Sequence, residues 1–230
     1  MELLGRMLDL DAPPLRIESY DISNQGADDI VASMVVYVDG RPLKRDYRRF
    51  KLKDMEGPDD YASMEQVLTR RFRRYLDGDE KFNARPDLLL IDGGGNHVRV
   101  ACRVLETMGL DIPAFGLVKD DRHRTRALVT PEGEEIGIQG APALFAFIGQ
   151  IQEETHRFAI EFHRQQQASH LRHSALDGIE GVGPARKTAL LKHFKNVRSV
   201  RAASLDELME AVPKNTALAV YRHFHPEDGG

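Results

Sequence analysis

A single cysteine, Cys102, occurs among the 230 residues. That excludes an internal disulfide and any zinc site built from several cysteines. The cysteine lies in HVRVACRVLETMG, whose apolar spacing is that of an amphipathic helix, so a place in a core is expected, and a reducing cytoplasm is the expected compartment. No apolar run reaches the roughly 18 to 20 residues that cross a bilayer. The opening MELLGRMLDLDAPP has no basic stretch leading into an apolar one, the pattern of a secretory signal. Positive charge is not in excess either: 32 Lys and Arg stand against 36 Asp and Glu, a formal net charge of −4. Such a chain does not coat nucleic acid electrostatically. Acidic metal ligands would nevertheless lower a total of which only the local distribution meets phosphate. What is present, 41% hydrophobic and 30% charged residues, is the composition of a folded protein with room for one medium domain and one small one.

The order of elements is informative. After the stiff Ala12-Pro13-Pro14, LRIESYDIS alternates as a strand. DIVASMVVYVDG follows the loop Asn24-Gln25-Gly26, and RPLKRDYRRFKL returns after the hairpin turn Asp39-Gly40. Three such runs imply an antiparallel meander. Beyond Gly57-Pro58, PDDYASMEQVLTRRFRRYL carries apolar residues at Tyr61, Met64, Val67, Leu68 and Phe72, a helical spacing. PDLLLIDGGG opens with a wholly apolar run, as in a parallel strand buried on both faces. A helix over about 96–108, a second buried strand IPAFGLVK, a small hairpin through ALVT and EEIGI, and a long helix from Pro142 through HRFAIEFHRQQQ complete the series. This is the order of an RNase H-like α/β domain with a mixed sheet and flanking helices. The expected division is a linker at 1–14, that domain at 15–167, a polar linker at 168–174 and a small all-α domain at 175–226.

Three residues stand out chemically. Asp21 lies inside the first strand, where an unpaired carboxylate is costly. Asp92 closes LLLID before three glycines, at the strand end where open sheets collect ligands, although turn chemistry alone also favours that pattern. His156 lies on the late helix, sharing a stripe with Gln152, Ile160 and His163; a structural or surface role is its commoner use. If the first and fourth strands are neighbours, the three could converge on a hard divalent cation, Mg²⁺ or Mn²⁺. Asp59 and Asp60 sit at a helix start, where carboxylates stabilise the helix dipole.

Further on, GIEGVGPARKTALLKHF has the form of a helix-hairpin-helix. The Gly181-Val182-Gly183 turn is expected to offer backbone N–H groups to a DNA phosphate, with Arg186, Lys187 and Lys192 as a local basic face. A plain glycine turn between two helices is the alternative. ASLDELMEAVPKNTALAVYRHF fits a second hairpin without its glycine turn. Val212-Pro213-Lys214-Asn215 runs almost straight into a helix, with Lys214 as a partial substitute.

The strings YDISN, VASMVVY, DYRRFKLK, EGPDDYASMEQVLTRR, PDLLLIDGG, GLVKDDRHRT and ETHRFAIEFHR closely resemble the nuclease domain of the UvrC family, in order, from about Arg16 to His163. The resemblance implies an Asp-Asp-His triad of Asp21, Asp92 and His156 on an RNase H-like fold. It also implies incision of DNA on the 5′ side of a lesion, and tandem hairpins binding duplex DNA. Asp60 and Lys119 are weaker, supporting candidates, Lys119 as a phosphate contact. Two departures are evident: Gly95-Asn96-His97 replaces the family's usual Lys-Gly-Gln, and Gln152 stands where an arginine is common. The family's GIY-YIG nuclease and UvrB-binding segment do not occur in these residues. The chain is therefore expected to be the C-terminal half, as a piece or as a shortened relative, with UvrB as partner and UvrA upstream through parts absent here. The alternatives are a catalytically weakened RNase H-like DNA-binding module, or another structure-specific RNase H-like nuclease. A nucleotide-binding reading of IDGGGN lacks the Gly-Lys-Ser/Thr that would support it.

Overall fold

The computed structural model describes residues 1–23, 31–52, 59–120, 125–174 and 176–225; the expected loop at Asn24-Gln25-Gly26 and the Gly57-Pro58 break lie outside them. The chain divides into two compact units, Met1–Glu161 and Phe162–Gly230.

The first unit is built on one eight-stranded sheet. Its strands are β1 (Arg16–Ser23), β2 (Val31–Val38), β3 (Arg41–Pro42), β4 (Arg48–Lys51), β5 (Leu88–Ile91), β6 (Ala114–Lys119), β7 (Thr125–Val129) and β8 (Glu135–Gly137). They lie in the order β3-β2-β1-β5-β6-β7-β8, with β4 also paired to β2. β1, β5 and β6 are mutually parallel, and the flanking pairs are antiparallel. This is the mixed sheet the element order implies, and the first and fourth apolar runs are indeed neighbours. The hairpin turn at Asp39-Gly40 places both residues at positive φ, 48° and 73°, the backbone that a two-residue hairpin loop requires.

The expected third strand is broken. β3 and β4 both pair with β2, and a 3-10 turn at Lys44–Asp46 separates them. Pro42 has no N–H to continue a ladder, and Asp46 is drawn aside by Arg16, 2.8 Å away.

The helices are α1 (Glu2–Met7), α2 (Asp60–Leu76), α3 (Gly95–Thr107) and α4 (Pro142–Ser174). Residues 1–14 are more than the expected linker: Leu4 and Leu8 of the α1 segment are buried in the main core, because they supply the apolar face that a short helix needs to stay docked. α2 buries Met64, Val67, Leu68 and Phe72 as the spacing predicts, whereas Tyr61 remains 44% exposed.

Alternation along β1 sends side chains to opposite faces. Ser19 meets Thr155 of α4 at 3.0 Å, so Ser19 and Asp21 face α4. Glu18 and Tyr20 face α2, where Glu18 forms a fully buried ion pair with Arg71 at 2.7 Å. The Arg71 guanidinium also donates to the carbonyls of Phe82 and Ala84, and Tyr20 donates to Glu18. Leu88, Leu89, Leu90 and Ile91 of β5 are wholly buried, as a parallel central strand requires.

The second unit is all-helical. α5 (Pro184–Phe194), α6 (Val197–Ala202), α7 (Leu205–Ala211) and α8 (Lys214–Phe224) enclose a core that includes Leu176, Ile179, Val182, Leu190, Leu208 and Val220. Asn196 caps α6, and Ser204 with Glu207 forms a reciprocal capping box on α7. The unit boundary falls at 161/162, not 167, and the backbone of 168–174, expected as a linker, is helical to Ser174. Its polar sequence contains good helix formers and no proline or glycine to end the helix.

Candidate active site

Asp21 and Asp92 meet by register. Tyr20 of β1 lies opposite Ile91 of β5, and the amide of Asp92 donates to the Tyr20 carbonyl at 2.8 Å. The two aspartates are therefore adjacent at the carboxyl ends of adjacent parallel strands. The turn after Asp92 can lie this close to the sheet because Gly116 of β6 has no side chain: a Cβ there would stand 2.3 Å from the Gly93 carbonyl oxygen.

His156 reaches across from α4, its Nδ1 3.6 Å from the Asp21 carboxylate, and its side chain is 58% exposed while that of Asp21 is 11% exposed. Lys119, at the end of β6, holds Asp92 with its Nζ 2.8 and 2.9 Å from the two carboxylate oxygens. Burial pushes the Asp21 carboxyl up, the negative charge of Asp92 adds to this, and His156 and Lys119 pull the other way. The three residues singled out in the sequence, with Lys119, thus form one chain of charge.

The same register shows a neighbour that the sequence alone did not suggest. Ser33 of β2 lies directly opposite Asp21. Its hydroxyl is buried and has no hydrogen-bond partner among the described residues. Only the observed register, with Ser23 opposite Val31, pairs 21 with 33; the strand bounds read from the sequence would have paired 21 with 31. Among the described residues no three His, Cys, Asp or Glu groups already converge on one point as metal ligands. The donor chemistry nevertheless fits a hard cation: two carboxylates and an imidazole stand together, one carboxyl is destabilised by its neighbour's charge, and a buried hydroxyl awaits a partner.

Asp60 is exposed as the first residue of α2. The capping role falls to Asp59, whose carboxylate accepts from the amides of Tyr61 and Ala62 at 3.0 Å each. In the altered Gly95-Asn96-His97, which forms the first turn of α3, Asn96 Nδ2 donates to the Tyr61 hydroxyl at 3.4 Å, and the His97 ring packs against Tyr61. Gln152 accepts from the Thr125 amide at 3.1 Å, a buried structural role that ties α4 to β7.

In the second unit, Gly181 has φ 78°, and Gly183 caps α5 ahead of Pro184. Val182 departs from the expectation that the turn offers its backbone N–H groups: its amide donates to the Ile179 carbonyl at 3.0 Å, and its side chain is in the core. Arg186 donates to the Gly181 carbonyl at 2.6 Å, Lys187 pairs with Asp177, and Lys192 is exposed near the end of α5. Gly181, Val182, Gly183 and Arg186 line one cavity of ≈ 480 Å³. At the other loop, Val212-Pro213 leads directly into α8 at Lys214, with no side-chain cap.

Several solved structures are similar at low identity. An endonuclease V from Ciona intestinalis, in complex with a 23mer DNA containing an inosine, is 16% identical with a TM-score of 0.35, covering 46% of each chain. Human ENDOV is 17% identical with a TM-score of 0.33, covering 53% of this chain and 61% of that one. Likeness at this level carries no argument about the site or its chemistry. Among curated proteins, UvrABC system protein C of Ruminiclostridium cellulolyticum is 45% identical over 98% of this chain and 38% of its own length. That of Streptococcus pneumoniae is 44% identical over 99% and 37%, so the chain spans a little over a third of such relatives. Residues 5–160 match the family described as the UvrC RNAse H endonuclease domain, and the chain belongs to the UvrC family.

Proposed function

We propose that this chain is a divalent-metal-dependent DNA endonuclease of nucleotide excision repair, hydrolysing a phosphodiester on the 5′ side of a lesion within the UvrABC system. The observation that carries the reading is the adjacency of Asp21 and Asp92 at neighbouring strand ends, with His156 3.6 Å from Asp21. Asp21, Asp92 and His156 would hold Mg²⁺ or Mn²⁺. A bound ion of this kind would lower the pKa of a bound water and offset charge on the phosphate oxygens. Lys119 keeps Asp92 oriented and, being 34% exposed, presents its ammonium to an incoming phosphate. His156 is open to solvent on one side and faces Asp21 on the other, a position for a ligand or for a group that moves a proton. Asp60, on the first turn of α2, is a supporting acid.

The second unit supplies duplex binding as a helix-hairpin-helix. The Gly181-Val182-Gly183 turn meets the backbone without reading sequence, Arg186, Lys187 and Lys192 form the basic face, and Lys214 serves the shorter second loop. Lesion recognition and delivery belong to UvrB, with UvrA upstream, through family segments that this chain does not cover.

The test is strand nicking of lesion-bearing duplex DNA with Mn²⁺ or Mg²⁺, with the cut mapped to the nucleotide. The wild type should cut, and Asp92→Ala and His156→Ala should lose at least about 100-fold, in line with the loss of a positioned acid–base group. Metal-independent cutting, or undiminished cutting by both variants, would sink the reading. The altered Gly95-Asn96-His97 favours the second reading, a DNA-binding module without activity. Binding without cleavage under every metal and with UvrB-loaded substrate would establish it.

A further inference from the structure

We infer that Tyr61 and His97 form a platform on which an unpaired nucleobase stacks, next to the phosphate that is cut. Tyr61 is the one aromatic among the large exposed hydrophobic side chains of the described residues. It projects from the first turn of α2 and meets the His97 ring, from the first turn of α3, with centroids 4.7 Å apart at 41°. Asn96 Nδ2 lies 3.4 Å from the tyrosine hydroxyl, a weak contact that adds to the ring packing on His97. The His97 ring lies against the turn that leaves Asp92: a Cβ on Gly93 would be 2.7 Å from its Cγ. No side chain therefore intervenes between the platform and the residue after Asp92.

The chemistry favours a base over a phosphate. Asp60 and the capping carboxylate of Asp59 flank Tyr61 in sequence and would repel a phosphate. The guanidinium of Arg99, which shares Asn96 with the Tyr61 hydroxyl, is engaged with the Pro131 carbonyl and Asn96. A π face needs no charge and accepts any base, which suits an enzyme that must cut beside variable sequence. A base reaches such a platform only when unstacked, as it is in a distorted or partly opened duplex. The inference rests on the endonuclease reading in requiring that DNA enter this end of the sheet.

The chain has no tryptophan, so Tyr61→Trp installs a sole indole reporter. Its emission would be followed in the full chain with Ca²⁺ in place of Mg²⁺ or Mn²⁺, while anisotropy of a labelled single strand reports binding in the same sample. A base-bearing strand should quench the emission, and an abasic strand of equal length should bind with little quenching. Tyr61→Ala should weaken the base-bearing strand about 5- to 150-fold, the range for loss of one stacked base. Tyr61→Phe should stay close to wild type, and His97→Ala should lower the quenching. Binding without quenching, or equal quenching by both strands, would overturn the platform and leave the endonuclease reading standing. No binding of either strand would likewise overturn the platform, while the endonuclease reading stands or falls on the nicking of duplex DNA.

Discussion

The buried pair Glu18–Arg71 carries the sharpest stability prediction, because it pins the strand that presents Asp21. Arg71→Met removes a guanidinium that makes four hydrogen bonds, two to Glu18 at 2.7 and 3.1 Å and one each to the Phe82 and Ala84 carbonyls at 2.9 and 2.7 Å. The methionine fills much of the volume, so the loss is electrostatic rather than steric. Removing one partner of a buried pair costs about 3–5 kcal/mol, since the other charge stays buried. Arg16, 3.3 Å away, and the Tyr20 hydroxyl, 2.7 Å away, still touch Glu18, which argues for the lower end of that range. For a unit of this size about 2–4 °C is lost per kcal/mol, so Tm should fall by roughly 6–16 °C in a circular-dichroism melt. Adding Glu18→Gln should return part of the loss, since the amide oxygen can still accept from Tyr20. A single-variant loss under about 1 kcal/mol, or a double variant weaker than the single one, would refute this account of the pair.

At the active site, Asp21→Asn should abolish cleavage yet raise the melting temperature at pH 7. Its carboxyl is pushed up by burial and by Asp92, so ionised Asp21 burdens the fold at neutral pH; the gain should vanish at pH values below the ordinary aspartate range, where both states are protonated. A variant no more stable than wild type at pH 7 would count against that cause. Mn²⁺ should raise the melting temperature of the wild type but not of Asp92→Ala, by mass action on the folded state alone; equal shifts would place the ion elsewhere. Gly116→Ala should cost about 1–3 kcal/mol through overpacking against the Gly93 carbonyl and Val129. It should also lower the cleavage rate by displacing Asp92, and full activity would show that the turn has room. Leu4→Ala should destabilise the first unit by about 2–5 kcal/mol, as urea unfolding would measure; a neutral change would restore the reading of 1–14 as a linker.

How far the sequence could be read depends on which interactions are periodic. The strands alternate by two and the helices repeat near 3.6, and both patterns are local, so the order of elements along the chain and α2 to α4 were legible. The apolar run 88–91 identified the central parallel strand because burial on both faces leaves no room for a polar residue. α1 escaped because a helix of 6 residues spans under two turns, although Met7 and Leu10 join Leu4 and Leu8 against the core, and Pro13-Pro14 reads as a stiff linker. The break at Lys44–Asp46 had one local sign, Pro42, which lacks an N–H, whereas the reach of Arg16 to Asp46 joins residues 30 positions apart and leaves no local mark.

Asp21 and Asp92 were legible for a different reason: each breaks a local rule, a charge inside a strand and a polar end on a wholly apolar one, and such violations concentrate at functional sites. Ser33 and Lys119 break no rule, since a serine or lysine in those strands needs no explanation on its own. Their roles exist only through pairing, Ser33 opposite Asp21 and Lys119 against Asp92. Glu18 and Arg71 show the limit of the argument. Glu18 breaks the strand rule as openly as Asp21 does, three residues away, yet it is matched by a guanidinium and fully hydrogen-bonded, so it stabilises the fold. Asp21 faces a second carboxylate instead: burial pushes its carboxyl up first and the Asp92 charge adds to this, with His156 and Lys119 offsetting only part, and that carboxylate neighbour, which Glu18 lacks, is what the proposed cation would relieve.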